Sequence, residues 1–296
     1  VAQEYTHLTN FEGKLYRYQP YSGVYVQRVN DLILNNRVYY SCPLRFNDPF
    51  DCKLYGIKFS EESIERFMRE RMKLQMQRVD MAMPSGMRKP SAQQKTALLD
   101  ATIQQNRSKT IVECAQVIQE LHELVENEIG VLCLSSDPLN ILMYSHYADS
   151  HLGVCLEFTL ERDNIFKPED VRYVKDFPSL EFGLDDEIKY ELVVALVSTK
   201  SIDWAYEKEY RSLKAGGAGV VKIPDNYLSG IIFGCAANDE TVQAVMDVVK
   251  DSAKPIRFYR AVKSNSSFSL SLEEMGITEE APEGQPQEGA GSDLNE

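Results

Sequence analysis

The sequence predicts an α+β fold: a mixed, largely antiparallel sheet carrying a long helical insertion over about residues 61–129. Three observations carry this. Short aromatic-rich strand segments, "KLYRY" and "RVYYS", come first. Residues 61–129 then place apolar side chains at helical three-to-four spacing. After residue 129 the period changes to strand-length apolar runs, beginning with "IGVLCLSS" and "LGVCLEFTL".

Taken in order, "KLYRY" lies between Gly13 and Pro20, as a strand bounded by turn residues should. "VNDLIL" supplies a helical turn or two, and "RVYYS" a strand stopped by Pro43. "LRFNDPFDC" is a loop, with Asn47, Asp48 and Pro49 as turn chemistry and Phe46 and Phe50 expected to pin it to the core. Ser60 opens a helix with a capping-box-like pattern, followed by Ile64, Phe67 and Met68 on one face. "MPSGMRKPSAQQ" breaks it, and a second long helix runs through Leu98, Leu99, Ile103, Ile111, Leu121 and Val125.

Beyond these, "DPLNILMYSHYAD" reads as a short helix begun by Asp137 and Pro138, since proline suits the first helical turn. "VRYVK", "ELVVALVST", "EKEYRSL", "GVVKI" and "LSGIIFG" read as strands, "DETVQAVMDVVKDS" as an amphipathic helix and "PIRFYRAVK" as the closing strand. Residues 1–276 are expected to form one domain. The acidic, Gly/Pro-rich segment 277–296 lacks large apolar residues and is expected to be disordered.

The formal net charge is −13, with much of the excess in that tail, so overall charge gives no support to nonspecific nucleic-acid or membrane binding. No apolar run approaches the roughly 18 residues of a membrane helix, and no signal-peptide pattern is present, so a cytoplasmic protein is expected. The six cysteines are scattered singly within mostly apolar segments. That is the usage of buried thiols in a reducing compartment, and neither a disulfide framework nor a zinc site is expected.

Four polar features sit at strand ends. Arg17 is flanked by Tyr16 and Tyr18, so on a strand the tyrosines face one way and the arginine the other. Either the tyrosines pack inward and Arg17 is solvated, or Arg17 meets an anion. Ser135, Ser136 and Asp137 end an apolar strand, where hydroxyls either hold a ribose or phosphate or cap the next helix. "YSHYADSH" offers Tyr147 as a stacking surface, while His146 and His151 are poorly spaced for a shared metal. Finally, "WAYEKEYRSL" read as one strand puts Glu207, Glu209 and Arg211 on one face, opposite Tyr206 and Tyr210. It is either a charged edge or the floor of a site in which Arg211 pairs with Glu207 and leaves Glu209 free. Asp48 and Asp51 line the same site or brace their loop.

The order of these features, arginine then serine then Glu-x-Glu on successive strands, resembles the layout of ADP-ribosyltransferases. The resemblance implies an enzyme that uses NAD as substrate, with an ADP-ribosyltransferase-like fold. Arg17 would grip its phosphates and ribose, Ser135 and Ser136 would shape the nicotinamide pocket, and Tyr18, Tyr39 or Tyr147 would stack on the nicotinamide. Glu209 would hold the ribose and Glu207 would position an acceptor, protein or nucleic acid. The Ser-Thr-Ser of that family is here Ser-Ser-Asp, and the insertion lengthens the first spacing.

"LYRYQP", "NNRVYYSCPLRFNDPFDC", "NILMYSHYADSHLGVCLEF", "WAYEKEYRSL" and "LSGIIFGCAA", spanning most of the chain to about residue 275, are together similar to a bacterial family known only as a domain of unknown function. That resemblance supplies no established activity and implies only a setting near mobile-element and phage-defence genes, in which the ADP-ribosyltransferase-like enzyme would be a toxin or defence effector. Two other functions fit the sequence. One is a non-catalytic binding module that docks a protein through the Met- and Arg-rich helix Phe67–Met83. The other is a metal-dependent nuclease acting through Asp48, Asp51, Glu207 and Glu209.

Overall fold

A computed structural model of the chain describes residues 11–53, 58–82, 84, 90–177, 179–180 and 193–275. The segment 277–296, read from its composition as a tail, lies outside them.

The strands are β1 (Gly13–Gln19), β2 (Arg37–Tyr40), β3 (Lys58–Phe59), β4 (Ile129–Ser135), β5 (Val154–Leu160), β6 (Glu169–Asp170) and β7 (Arg172–Val174). They continue with β8 (Ser179–Leu180), β9 (Thr199–Ser201), β10 (Glu209–Ala215), β11 (Gly219–Lys222), β12 (Leu228–Phe233), β13 (Arg257–Lys263) and β14 (Leu270–Glu274). The helices are α1 (Val24–Asn35), α2 (Glu61–Ala82), α3 (Ala92–Glu128), α4 (Ile141–Tyr147) and α5 (Asp239–Ser252), with a helical segment over 193–197 and 3-10 turns at Pro43–Arg45 and Ile202–Glu207.

Eight strands form one sheet in the order β14-β13-β12-β5-β1-β4-β10-β6. Every neighbouring pair is antiparallel except β12 and β13, which are joined by α5 as a parallel pair requires. One face packs Leu15, Leu132, Leu134, Leu156, Phe158 and Ile231 against Val29, Leu32 and Ile33 of α1 and Val242, Val245 and Val249 of α5. The other face packs Tyr16, Tyr18, Cys155 and Ile232 against Met143 and Tyr144 of α4.

Helices α2 and α3 form the expected insertion. Ser60 Oγ accepts the Ser63 N–H at the start of α2, and Ser91 and Gln94 form a full capping box on α3. Met68, Leu99 and Ile103 make a small core between the two helices, with Met72 and Met76 against it. Leu121 and Val125, near the end of α3, join a second core with Cys52, Phe59, Val193, Leu196 and Val197.

Five local expectations are corrected. The run "ELVVALVST" is helical over 193–197, burying Val193, Leu196 and Val197 at i, i+3, i+4, and only its end joins β9; residues 191–192 lie outside the described residues. A short apolar run carries both periods, and packing against α3 selects the helix. Helix α4 is capped by Asn140, whose side chain accepts from Leu142 and Met143, and not begun at Pro138. Phe46 packs inward, but Phe50 is 58 % exposed. β13 is followed by a further edge strand, β14. "WAYEKEYRSL" is not one strand: Glu207 ends the 3-10 turn, Lys208 is left-handed with φ 46°, and β10 starts at Glu209. The left-handed residue breaks the period-two alternation, so Glu207 and Glu209 meet through a turn.

Candidate functional site

β1 pairs with β5 along its whole length but with β4 at one register position, Tyr16 opposite Ser135. From there the two strands part. The free edge of β4 is taken up by Ser41, which exchanges both backbone hydrogen bonds with Val131. Arg17 spans the gap, its Nη1 donating to the Tyr39 carbonyl at 3.1 Å. The parting opens a cleft of about 470 Å³ between β1, β4 and the segment after β2. Helix α4 and the 202–207 turn border it, tied together because Asn140 Nδ2 donates to the Tyr206 carbonyl at 2.8 Å.

The floor is a buried ionic cluster. Arg211, fully inaccessible on β10, clasps Asp51 (Nη1–Oδ1 2.8 Å, Nη2–Oδ2 2.7 Å) and Glu209 (Nε–Oε1 2.8 Å, Nη2–Oε2 2.9 Å). Its Nη1 also donates to the Val197 carbonyl at 2.6 Å. The Lys200 ammonium, from β9, lies 2.5 Å from Glu207 Oε2, 3.2 Å from Glu209 Oε2 and 3.5 Å from Asp51 Oδ2. Tyr147 donates its hydroxyl to Glu207 Oε1 at 2.6 Å. Three carboxylates thus face two cations in a site where unpaired charge is costly.

These contacts set the protonation. Burial alone would raise the Glu209 carboxyl, but Arg211 and Lys200 outweigh it and hold it at about 2. Glu207 lies above the usual carboxylate range because of burial, with the like charge of Glu209 adding to it against the pull of Lys200. Lys200 is raised: burial favours its neutral form, and Glu209, Asp51 and Glu207 overcome that. Glu209 is therefore the firmly ionised member of the pair, and Glu207 the one nearer to exchanging a proton.

The opposite wall is cationic. Arg17, Arg28 and Arg45 line the cleft, and none forms an ion pair with a carboxylate among the described residues. The Arg28 guanidinium lies over the Tyr39 ring at 3.9 Å and near the Tyr25 ring at 5.3 Å, which fixes its orientation. Burial lowers the pKa of Arg17, and the nearby charge of Arg28 lowers it further. Two guanidinium groups that repel each other in a half-buried cleft give this wall a positive potential.

The cleft brings together seven of the residues selected from the sequence: Arg17, Tyr18, Tyr39, Ser135, Tyr147, Glu207 and Glu209. Ser136 is not among its walls; it is exposed, with its N–H on the Lys208 carbonyl. Several of the seven also have internal tasks. Ser135 Oγ donates to the Glu207 carbonyl at 2.6 Å and anchors the turn that carries Glu207. Tyr18 donates to the Asp137 carbonyl at 2.6 Å and accepts the Asn140 N–H, holding the start of α4.

The expected pairing of Arg211 with Glu207 is overturned, because Glu207 lies off the strand and Lys200 and Tyr147 hold it instead. Asp48 braces its loop, its Oδ1 accepting the Phe50 N–H, whereas Asp51 lines the cleft.

Sequence reasoning passed over Arg28 and Lys200. Tyr25 and Arg28 are three apart on one helix face, a stacking pair that spacing alone can expose. Lys200 carries no such signal, since its partners come from three separate segments. Its ammonium sits where Asp51, Glu207 and Glu209 converge, the place a divalent cation would need. No group of three His, Cys, Asp or Glu among the described residues is arranged to hold a metal ion.

The fold and cleft define an α+β protein with a charge-divided cleft. No protein-family model, curated protein or solved structure matches the chain.

Proposed function

We propose that the protein is an NAD-using ADP-ribosyltransferase-like enzyme, acting as a toxin or defence effector in the cytoplasm. The observation that carries this reading is the polarity of the cleft: arginines with no carboxylate partner among the described residues on one wall, and a floor with one more carboxylate than cation. NAD has the matching polarity, a pyrophosphate anion and a cationic nicotinamide ring. Arg17, Ser135 and Glu209 also meet at one cleft, as the resemblance required.

In this reading Arg17 and Arg28 hold the pyrophosphate, and Tyr147 lies beside the nicotinamide. The bond between ribose C1′ and the nicotinamide nitrogen breaks, with its electron pair leaving on the nicotinamide. Ionised Glu209 stabilises the positive charge that develops on the ribose. An acceptor nucleophile then bonds to C1′ and yields its proton to Glu207, whose raised pKa suits a base. The free thiols Cys52 and Cys155, both buried, suit a reducing compartment. Among the described residues, no helix is long and apolar enough to cross a membrane.

The test is release of labelled nicotinamide from NAD with protein and nucleic-acid acceptors supplied. Release by the wild type and its loss in both Glu209→Gln and Arg17→Gln is expected. No release with any acceptor would reject the enzyme reading. A non-catalytic binding module is the second reading, favoured by exposed apolar residues on α2 and α3, among them Leu74, Met81, Leu98 and Val112.

A further inference from the structure

Three carboxylates from separate segments, the loop at Asp51, the turn at Glu207 and the strand at Glu209, converge on the Lys200 ammonium. Arg211 is locked between Asp51 and Glu209 by four hydrogen bonds and cannot move without breaking the β10 floor. Lys200 is held differently. It comes from β9, outside the main sheet, on a flexible four-carbon stem. Its ammonium also lies 4.9 Å from the centroid of the Trp204 ring, a cation-π contact made at the same time as the three ion pairs. Both Lys200 and its three carboxylate partners line the cleft.

We propose that the floor is a recognition site for a flat organic cation and that Lys200 is its tethered stand-in. Without ligand, the ammonium keeps three buried carboxylates compensated. A ligand cation entering the floor takes over that role, and Lys200 withdraws toward Trp204. Total charge in the floor then changes little at each stage, which avoids leaving buried carboxylates bare. A neutral ring of the same shape cannot replace the ammonium and is excluded by it. This deepens the NAD reading by assigning the pyridinium end to the floor, but its test needs no catalysis.

The probes are 1-methylnicotinamide, a planar cation, and nicotinamide, its neutral analogue, titrated by calorimetry into the full chain. Trp204 is the sole tryptophan, so its indole N–H resonance reports on the floor without assignment work. The cation is expected to bind saturably and shift that resonance, with nicotinamide binding at least ~10-fold more weakly. Lys200→Met removes the competitor and is expected to tighten the cation by ~10-fold or more. Should that variant not fold, Trp204→Leu removes the ring toward which Lys200 withdraws and is expected to weaken the cation in the calorimeter. Equal affinity for the two probes, no binding of the cation, or weaker binding in Lys200→Met would overturn the proposal, as would unchanged affinity in Trp204→Leu. Nicotinamide release from NAD without cation preference rejects this inference alone. Cation preference without any release rejects the transferase reading alone.

Discussion

Arg211 grips Glu209 side-on through two hydrogen bonds, Nε to Oε1 at 2.8 Å and Nη2 to Oε2 at 2.9 Å, from two residues along the same strand. The same guanidinium takes both oxygens of Asp51, so one buried cation joins the "FNDPFD" loop to β10. Arg211→Met leaves two buried carboxylates with Lys200 as their remaining cation. It should cost about 3–5 kcal/mol, read as a fall in the urea midpoint. An unchanged midpoint would mean that the cluster does not hold the floor together.

The depressed Glu209 carboxyl makes a prediction about acid. Its folded value of about 2 lies below the ordinary value of 4.5, so its contribution to stability is complete above about 4.5. That contribution should disappear as pH falls from about 4.5 through about 2. Glu207, shifted upward, acts with the opposite sign and becomes less unfavourable as it gains a proton. Urea unfolding at a series of pH values on the wild type and Glu209→Gln should show a shallower acid loss in the variant.

Arg17 should behave oppositely to Arg211. Its side chain has a carbonyl partner and a repelling neighbour in Arg28, so Arg17→Gln should leave stability within about 1 kcal/mol of the wild type. Its affinity for ADP-ribose, measured by calorimetry, should fall by roughly 10- to 100-fold, the worth of a hydrogen bond to a charged group. A large loss of stability with unchanged affinity would make Arg17 a structural residue.

Tyr147→Phe removes one donor from Glu207 and leaves Lys200 on the other oxygen. About 1 kcal/mol of stability should be lost, and the Glu207 carboxyl should titrate at still higher pH. Carbon-detected NMR of the glutamate carboxyls checks both the direction and the residue. A downward shift would contradict the assigned hydrogen bond.

Gly153 lets the α4–β5 turn approach the end of β1. A Cβ there would lie 2.4 Å from the Gln19 carbonyl oxygen, so Gly153→Ala must displace one backbone or the other. A loss of about 1–3 kcal/mol is expected in thermal or urea unfolding. A neutral result would show that the two segments yield independently of the cleft.

The class of fold, the two-helix insertion and most of the strands were legible in the sequence, because local period and turn residues specify an element's type within a short window. The sequence also singled out Arg17, Tyr147, Glu207 and Glu209, since charged and aromatic residues at strand ends stand out against apolar runs. Tertiary structure decided how they are used. The left-handed Lys208 removed Glu207 from the strand, packing against α3 turned 193–197 into helix, and the parting of β1 from β4 made the cleft. Above all, it placed the Lys200 ammonium among Asp51, Glu207 and Glu209 and fixed Arg28 over Tyr39. Ion pairing depends on distances across the fold. Lys200 to Asp51 joins positions far apart along the chain, and no spacing rule along one chain encodes such a distance.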